Sequence, residues 1–337
     1  MAEETLRFGS GGDALRSEDE PLLGGRGRFT DDLAVPGAAH VAFVRSPIGH
    51  GVIRSVDVAA AAKLPGVVGI FTGVDLERDG IGAIPPAVLL PGRGGKPMFG
   101  ASMPVLAAHR VRYVGEPIAI VVAETAAQAL DAAETVVLDV DELAAVANVE
   151  RAAASGAPTI WDEAPGNVCL DWEDGDAGAV DVAFARAAHV ARVKLLDTRV
   201  AVAAMEPRAA IGVWDAASGR YTLTAGTQGV ALVRKMLAES VFKVPPQQIR
   251  VLTHDVGGGF GMKVQVYPEY AAVLYAARRI GRPGSGEPRG SRASSPTRLA
   301  VTGCSRASSR STPTGSSSRS ACGPPSASAP TLRPFPQ

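Results

Sequence analysis

The sequence predicts an α/β (α+β) protein of about two domains, and three observations carry that prediction. Its 337 residues are enough for two cores at 100 to 200 residues per domain. Short apolar runs rich in β-branched residues alternate with segments of helical period as far as residue 283, the pattern of mixed α/β chains. At residue 284 the composition changes abruptly, and no core can be built from residues 284–337.

Taken in order, residues 41–45 and 117–122 read as buried strands. Thr125 is an N-cap for a helix over 126–134, because its hydroxyl can accept a free amide of the first turn. Residues 136–140 return to strand. The stretch 151–178, with Pro158, Pro165 and several Gly, reads as a loop joining two domains. Residues 181–189 are helical in pattern and 190–196 extended. Two strands, 209–214 and 221–224, flank the turn 215–220. Val230, Val233, Leu237, Val241 and Phe242 recur at helical spacing until Pro245-Pro246 stops them. Residues 249–252 form a strand that runs into a glycine cluster, and 270–279 form the next helix.

Lys plus Arg equals Asp plus Glu at 34 each, which removes charge-driven binding to nucleic acid as a first expectation. Three cysteines, Cys169, Cys304 and Cys322, are too few and too scattered for a disulfide framework and lack the short spacing of a zinc site. The first 20 residues read as a leader without the apolar core of a signal peptide, and no window reaches about 18 apolar residues. A soluble, cytoplasmic protein with no membrane span is expected. Of the 54 residues 284–337, 35 are Ser, Pro, Arg or Gly, and seven Arg face one acid, Glu287. Leu299, Val301, Leu332 and Phe335 are too few large apolar groups to offset an ordering cost of about 1–2 kcal/mol per residue. This tail reads as disordered. It is a basic arm, a linker, or a GC-rich coding region read out of frame, and isolated Arg diluted in Ser, Pro, Ala and Gly favours the last.

Val256-Gly257-Gly258-Gly259-Phe260-Gly261-Met262-Lys263 carries the strongest chemical signal. Four Gly in five positions after a strand permit positive φ and close approach of a ligand to peptide N–H groups. A β-branched residue at Gly259 is expected to fail on φ. An anionic or oxo-rich ligand is implied; a tight packing turn is the alternative. The dinucleotide fingerprint fails because its last Gly would fall on Met262, and a P-loop fails because Lys263 is followed by Val264, not a hydroxyl.

The order of motifs resembles the molybdenum-binding (large) subunit of the xanthine dehydrogenase, aldehyde oxidase and aerobic carbon monoxide dehydrogenase family. The motifs, in order, are Gly25-Arg26-Gly27-Arg28-Phe29-Thr30-Asp31-Asp32, Arg45-Ser46-Pro47-Ile48-Gly49-His50-Gly51, Leu64-Pro65-Gly66-Val67 through Thr72-Gly73-Val74-Asp75, Val111-Arg112-Tyr113-Val114-Gly115-Glu116-Pro117, Met205-Glu206-Pro207-Arg208 with Gly226-Thr227-Gln228, and the glycine loop. The resemblance implies an α/β-hammerhead domain over 21–146, the first part of a molybdenum-cofactor-binding domain over 150–283, and the tail 284–337 beyond. It implies a molybdenum-molybdopterin cofactor in the cytosine dinucleotide form, with iron–sulfur and FAD groups on partner subunits of a heterotrimer. By the same resemblance Gln228 donates its amide to the oxo group of the metal centre, with Gly258, Gly259, Phe260 and Gly261 beside it. Phe260 is either near the substrate channel or ordinary core.

Departures narrow these implications. Where purine-oxidising members carry a substrate-contacting Glu after the loop, this chain has Val264, which disfavours xanthine. Lys263-Val264 with Val266-Tyr267-Pro268 is similar to the carbon monoxide dehydrogenase-like large subunits, yet Cys304 and Cys322 sit in no motif of the carbon monoxide oxidisers. The late Glu that serves the family as base has no counterpart, so no catalytic residue and no direct metal ligand is assigned. Glu206, His254-Asp255 and Glu116 are read as structural. The functions left are a hydroxylase subunit oxidising an aldehyde, heterocycle or carbon monoxide with water as oxygen source, an inactive truncated product, and a nucleotide-binding or assembly module.

Overall fold

The structure is a computed structural model that describes residues 16–197, 200–281, 284–286 and 318–321. After a short helix α1 (Asp19–Leu23), the first half forms β1 (Ala39–Arg45), β2 (Gly51–Asp57), β3 (Val67–Thr72), α2 (Gly73–Arg78), β4 (Arg110–Val111), β5 (Pro117–Ala123), α3 (Ala126–Glu134) and β6 (Val137–Glu142). The second half forms α4 (Val149–Ala152), β7 (Val168–Trp172), α5 (Ala177–Arg186), β8 (Ala210–Asp215), β9 (Arg220–Ala225), α6 (Val230–Met236), β10 (Ile249–Leu252) and α7 (Pro268–Ile280). Two short strands complete the order, β11 (Gly284–Gly286) and β12 (Ser318–Ala321).

All seven residues of β5 are buried, which is why the strand is a continuous apolar run and not an alternating one. It pairs antiparallel with β1 on one side and β3 on the other. Thr125 caps α3 by accepting the Gln128 amide at 3.2 Å, and the small Ala129 and Ala132 bring the helix close to the sheet. The hairpin of β8 and β9 is antiparallel. β10 then lies parallel to β9 after crossing through α6 and its π-helical continuation, Leu237–Phe242. β11 bridges the halves, parallel to β1 and antiparallel to β8, so one mixed seven-stranded sheet runs β10-β9-β8-β11-β1-β5-β3. Its connectivity is not that of a parallel dinucleotide-binding sheet. A second sheet, β4-β2-β6, and a pair, β7-β12, complete the described strands.

α7 packs against strands of both halves. Proline at its first position and Gly281 in the left-handed region after its last turn (φ 67°) delimit it, as expected of a proline start and glycine stop. Residues Pro268 to Ala277 are buried. Gly212 permits the close approach: a Cβ there would stand 2.8 Å from the Val273 carbonyl. The resulting core is continuous across the halves, joining Val41, Ile120 and Val122 to Leu223, Leu237, Ile249, Tyr270 and Leu274.

Several expectations change. The stretch read as a loop contains β7, and residues 190–196 belong to no strand. The second-half helix runs Ala177–Arg186, starting at an N-cap Asp176 whose side chain accepts the Ala179 amide. Of the tail read as disordered, β11 and β12 are strands; the rest lies outside the described residues, as do residues 1–15 of the leader. Cys169 is disulfide-bonded, which the scatter of cysteines did not suggest. Among the described residues no helix is long and apolar enough to cross a membrane.

Candidate functional site

Two strand exits meet at one place. β10 gives way after Leu252 to the glycine loop, and β9 gives way after Ala225 to Gly226, Thr227 and Gln228 before α6. The loop needs positive φ at Gly258 (97°), Phe260 (49°) and Gly261 (79°). For a phenylalanine that geometry is strained, at about 1 kcal/mol or more. The ring is 76% exposed, which overturns the reading of Phe260 as core. A Cβ on Gly258 would meet that ring at 2.7 Å. Gly259 has no positive φ. Its lack of a side chain is required for another reason: a Cβ would stand 2.5 Å from Gln228 Cδ.

Gln228 therefore lies flat against the loop. Its backbone N–H donates to the Lys263 carbonyl at 3.0 Å, and its Oε1 accepts the Gly261 N–H at 3.1 Å. An N–H donor fixes which amide atom the loop holds, so Oε1 is the bonded atom and Nε2 is the donor that the Gly261 bond does not use. Gln228, Phe260 and Gly261 are exposed while Met262 and Lys263 beneath them are buried. Gly258, Gly259, Phe260, Gly261 and Gln228 thus share one surface on which the Gly258 and Gly261 amides are spent within the loop, on the Val256 carbonyl and Gln228 Oε1, and the Gln228 amide and the exposed Phe260 ring are the side chains presented. Such a surface fits an oxo-rich or anionic group.

The floor of the loop is ionic, which the linear order of residues did not suggest. Lys263 Nζ stands 2.6 Å from Glu206 Oε2, with both side chains buried. The same oxygen accepts the Gly257 N–H at 2.9 Å, and Glu206 Oε1 accepts the Thr30 N–H at 3.3 Å. The segment ahead of β1 is held a second time where Asp255 Oδ2 accepts the Arg28 N–H at 2.7 Å. A lone Lys closing a glycine loop, with an acid in the Met-Glu-Pro-Arg motif, was the available signal. Glu206 is fully engaged by these partners and is not placed to act as a base.

Behind the loop the halves are joined by a second buried ionic group. Glu269 on α7 accepts from Arg45 Nη2 of β1 at 2.7 Å and makes an ion contact with Arg208 at 3.6 Å, too long for a hydrogen bond. Burial raises the Glu269 carboxyl, but Arg208 and Arg45 outweigh it and hold it below its ordinary range. Arg208 also stacks on the Tyr267 ring, 3.6 Å from its centroid. Among the described residues no group of three or more His, Cys, Asp or Glu is placed to hold a metal ion.

Comparison with known proteins adds to this geometry. Residues 24–144 match the family profile "Aldehyde oxidase and xanthine dehydrogenase, a/b hammerhead domain", and residues 160–285 match "Molybdopterin cofactor-binding domain". The nicotine 6-hydroxylase large subunit of Paenarthrobacter nicotinovorans is 37% identical over 270 residues, covering 80% of this chain and 32% of its own length. The carbon monoxide dehydrogenase large chain of Hydrogenophaga pseudoflava is 29% identical over 282 residues, covering 80% of this chain and 34% of its own. The crystal structure of quinoline 2-oxidoreductase from Pseudomonas putida 86 superposes with a TM-score of 0.72 at 35% identity, covering 82% of this chain and 34% of that one. The chain spans about a third of the length of the curated relatives it matches.

Proposed function

Because the chain belongs to the molybdenum-binding large-subunit family of aldehyde oxidase, xanthine dehydrogenase and carbon monoxide dehydrogenase, we propose that its glycine loop and Gln228 form one wall of a molybdenum-molybdopterin site. In the complete enzyme this wall serves hydroxylation of a small molecule with water as oxygen source. One observation carries the reading: Gln228 Oε1 is tied down by Gly261 N–H, which leaves Nε2 of this exposed side chain as its donor atom. A neutral amide can hydrogen-bond an oxo ligand without giving up a proton. The residues present fit the group, since Gly259 and Gly261 present backbone where a side chain would intrude on Gln228 or the open face.

When bound, the cofactor supplies the two-electron oxidising centre. This chain's own residues would hold and orient it: Gln228 Nε2 would be the side-chain donor to its oxo group, and the loop glycines would allow backbone approach. The base that activates the attacking oxygen is assigned to no residue here, as Glu206 is committed to Lys263, Gly257 and Thr30. Residues 21–146 and 150–283 are taken as the two domains. The cytosine dinucleotide form of the pterin, iron–sulfur and FAD partner subunits and a cytoplasmic location belong to the same proposal. Among substrates a nitrogen heterocycle ranks ahead of an aldehyde or carbon monoxide, since relatives named for nicotine and quinoline are 37% and 35% identical against 29% for the carbon monoxide dehydrogenase chain. Spanning a third of its relatives favours a second reading, in which this polypeptide alone holds part of the site but does not turn over.

The test is retention of cofactor. The purified chain is incubated with molybdenum-molybdopterin and desalted, then assayed for metal by plasma mass spectrometry and for pterin by fluorescence. Retention is expected in the wild type and a loss of about tenfold in Gln228→Ala, the scale of one net hydrogen bond. Equal content in both proteins, or none in either, refutes the assignment of this surface.

A further inference from the structure

The contacts beneath the loop close into a ring. Lys263 holds Gln228 with its main chain, since its carbonyl accepts both the Gln228 N–H at 3.0 Å and the Thr227 hydroxyl at 3.1 Å. Its side chain turns inward to Glu206 at 2.6 Å. Glu206 is fastened to the near end of the loop twice: its Oε2 accepts the Gly257 N–H at 2.9 Å, and its own N–H donates to the Gly257 carbonyl at 3.0 Å. The far end of the loop returns to the Gln228 side chain through Gly261 N–H. The exit of β9 rests on the pair as well, because a Cβ on Gly226 would lie 3.1 Å from Glu206 Oε2 and 3.5 Å from Lys263 Nζ.

Stability is a poor explanation for this pair. Lys263 is fully buried and the Glu206 side chain only 8% exposed, and removing two charges from water costs several kcal/mol per ion, which an apolar pair of similar size would avoid. What charge supplies and an apolar contact does not is a fixed length and direction.

We infer that the Glu206–Lys263 ion pair is a positioning pair that sets the separation between Gln228 and the glycine loop, and so the shape of the surface offered to the cofactor. The inference rests on the proposed role of that surface. It assigns no chemistry to either side chain, which act only through Gln228 and the loop amides. Removing the charge on Lys263 should free the loop from the strand exit without disturbing the sheet behind it.

The test is amide hydrogen exchange on the full 337-residue chain without cofactor. In Lys263→Met, protection of the Gln228, Gly257 and Gly261 amides is expected to fall about tenfold or more while the amides of β5 keep theirs, the signature of local opening. Lys263→Arg is expected to restore most of it. Gly226→Ala is a milder probe that keeps both charges, since its methyl presses on the pair; it should raise exchange several-fold at the same three amides. An equal change at β5 and at the loop in Lys263→Met would mean a merely structural role and overturn the inference. So would unchanged loop exchange in Gly226→Ala, even if Lys263→Met fails to fold. Cofactor retention by the wild type is scored separately: a chain that shows the local exchange pattern but retains no molybdenum keeps the positioning pair and loses the cofactor assignment.

Discussion

Glu116 offers the sharpest quantitative test of the packing between β4 and β5. Its residue is 2% exposed, and Oε2 accepts the Arg112 N–H at 2.6 Å. Burial pushes its carboxyl from 4.5 up to about 7, the Arg112 amide and guanidinium offsetting only part of the cost. A tenfold change in an acid constant is worth about 1.4 kcal/mol, so the difference between folded and unfolded chain amounts to about 3 kcal/mol. The sign depends on which state keeps the proton. Below pH 4.5 both states are protonated and the contribution is fully present. As pH rises toward 7 the unfolded chain ionises first, and stability falls until the folded carboxyl also ionises. Glu116→Gln keeps an acceptor for Arg112 N–H but cannot ionise. Urea unfolding of the two proteins should therefore agree within about 1 kcal/mol at about pH 4.5 and diverge by about 3 kcal/mol at about pH 8, the variant being the more stable. Comparing the pair at each pH cancels the titration of every other group. A difference that stays flat between those two pH values refutes the assignment of burial as the cause.

Glu269→Gln removes the buried anion that accepts from Arg45 Nη2 and lies 3.6 Å from Arg208, and should cost about 3–5 kcal/mol in urea unfolding. Because the Glu269 carboxyl is held below its ordinary range, that stabilisation is present above the unfolded carboxylate's titration and fades as pH falls, the opposite sense to Glu116. Gly259→Ala places a methyl 2.5 Å from Gln228 Cδ. It should break the bond from Gly261 N–H, seen as faster exchange of that amide, while global stability changes by less than about 1 kcal/mol, because an exposed side chain can swing away.

The sequence made the backbone of this site legible because its signals are local. Apolar runs marked β1, β5 and β10, the Thr125 cap opened α3, and a strand followed by clustered glycines marked the loop. The motif order pointed to the hammerhead and cofactor-binding domains. Other features rest on contacts between residues far apart in the chain. β2 and β3 carry exposed and half-buried residues and show neither clean alternation nor a buried run. β11 is Gly-Ser-Gly and joins its neighbours through backbone pairing, which composition cannot register. Glu206 and Lys263 are 57 residues apart, and nothing at either position alone says that the lysine turns inward. At Gly259 the expected reason fails: φ is not positive there, and it is the approach of Gln228 that excludes a side chain.

The two buried ionic groups are not independent of each other. Glu269 anchors the first turn of α7 to Arg45 on β1, and two residues earlier Tyr267 donates its hydroxyl to the Met262 carbonyl at the end of the glycine loop. Arg208 touches both, pairing with Glu269 and lying on the Tyr267 ring, and it stands two residues after Glu206, the floor of the loop. The loop is therefore held from below by Glu206 and from behind by Tyr267, and both supports run through Arg208 to the seam between the halves. On the other side, Thr30 and Arg28, ahead of β1, bond to Glu206 and Asp255. Each support draws on both halves, so the second half folded by itself would lose the Thr30, Arg28 and Arg45 contacts together. The loop's shape is a property of the seam, and it is there that the hammerhead half contributes to a site whose exposed residues all come from the other.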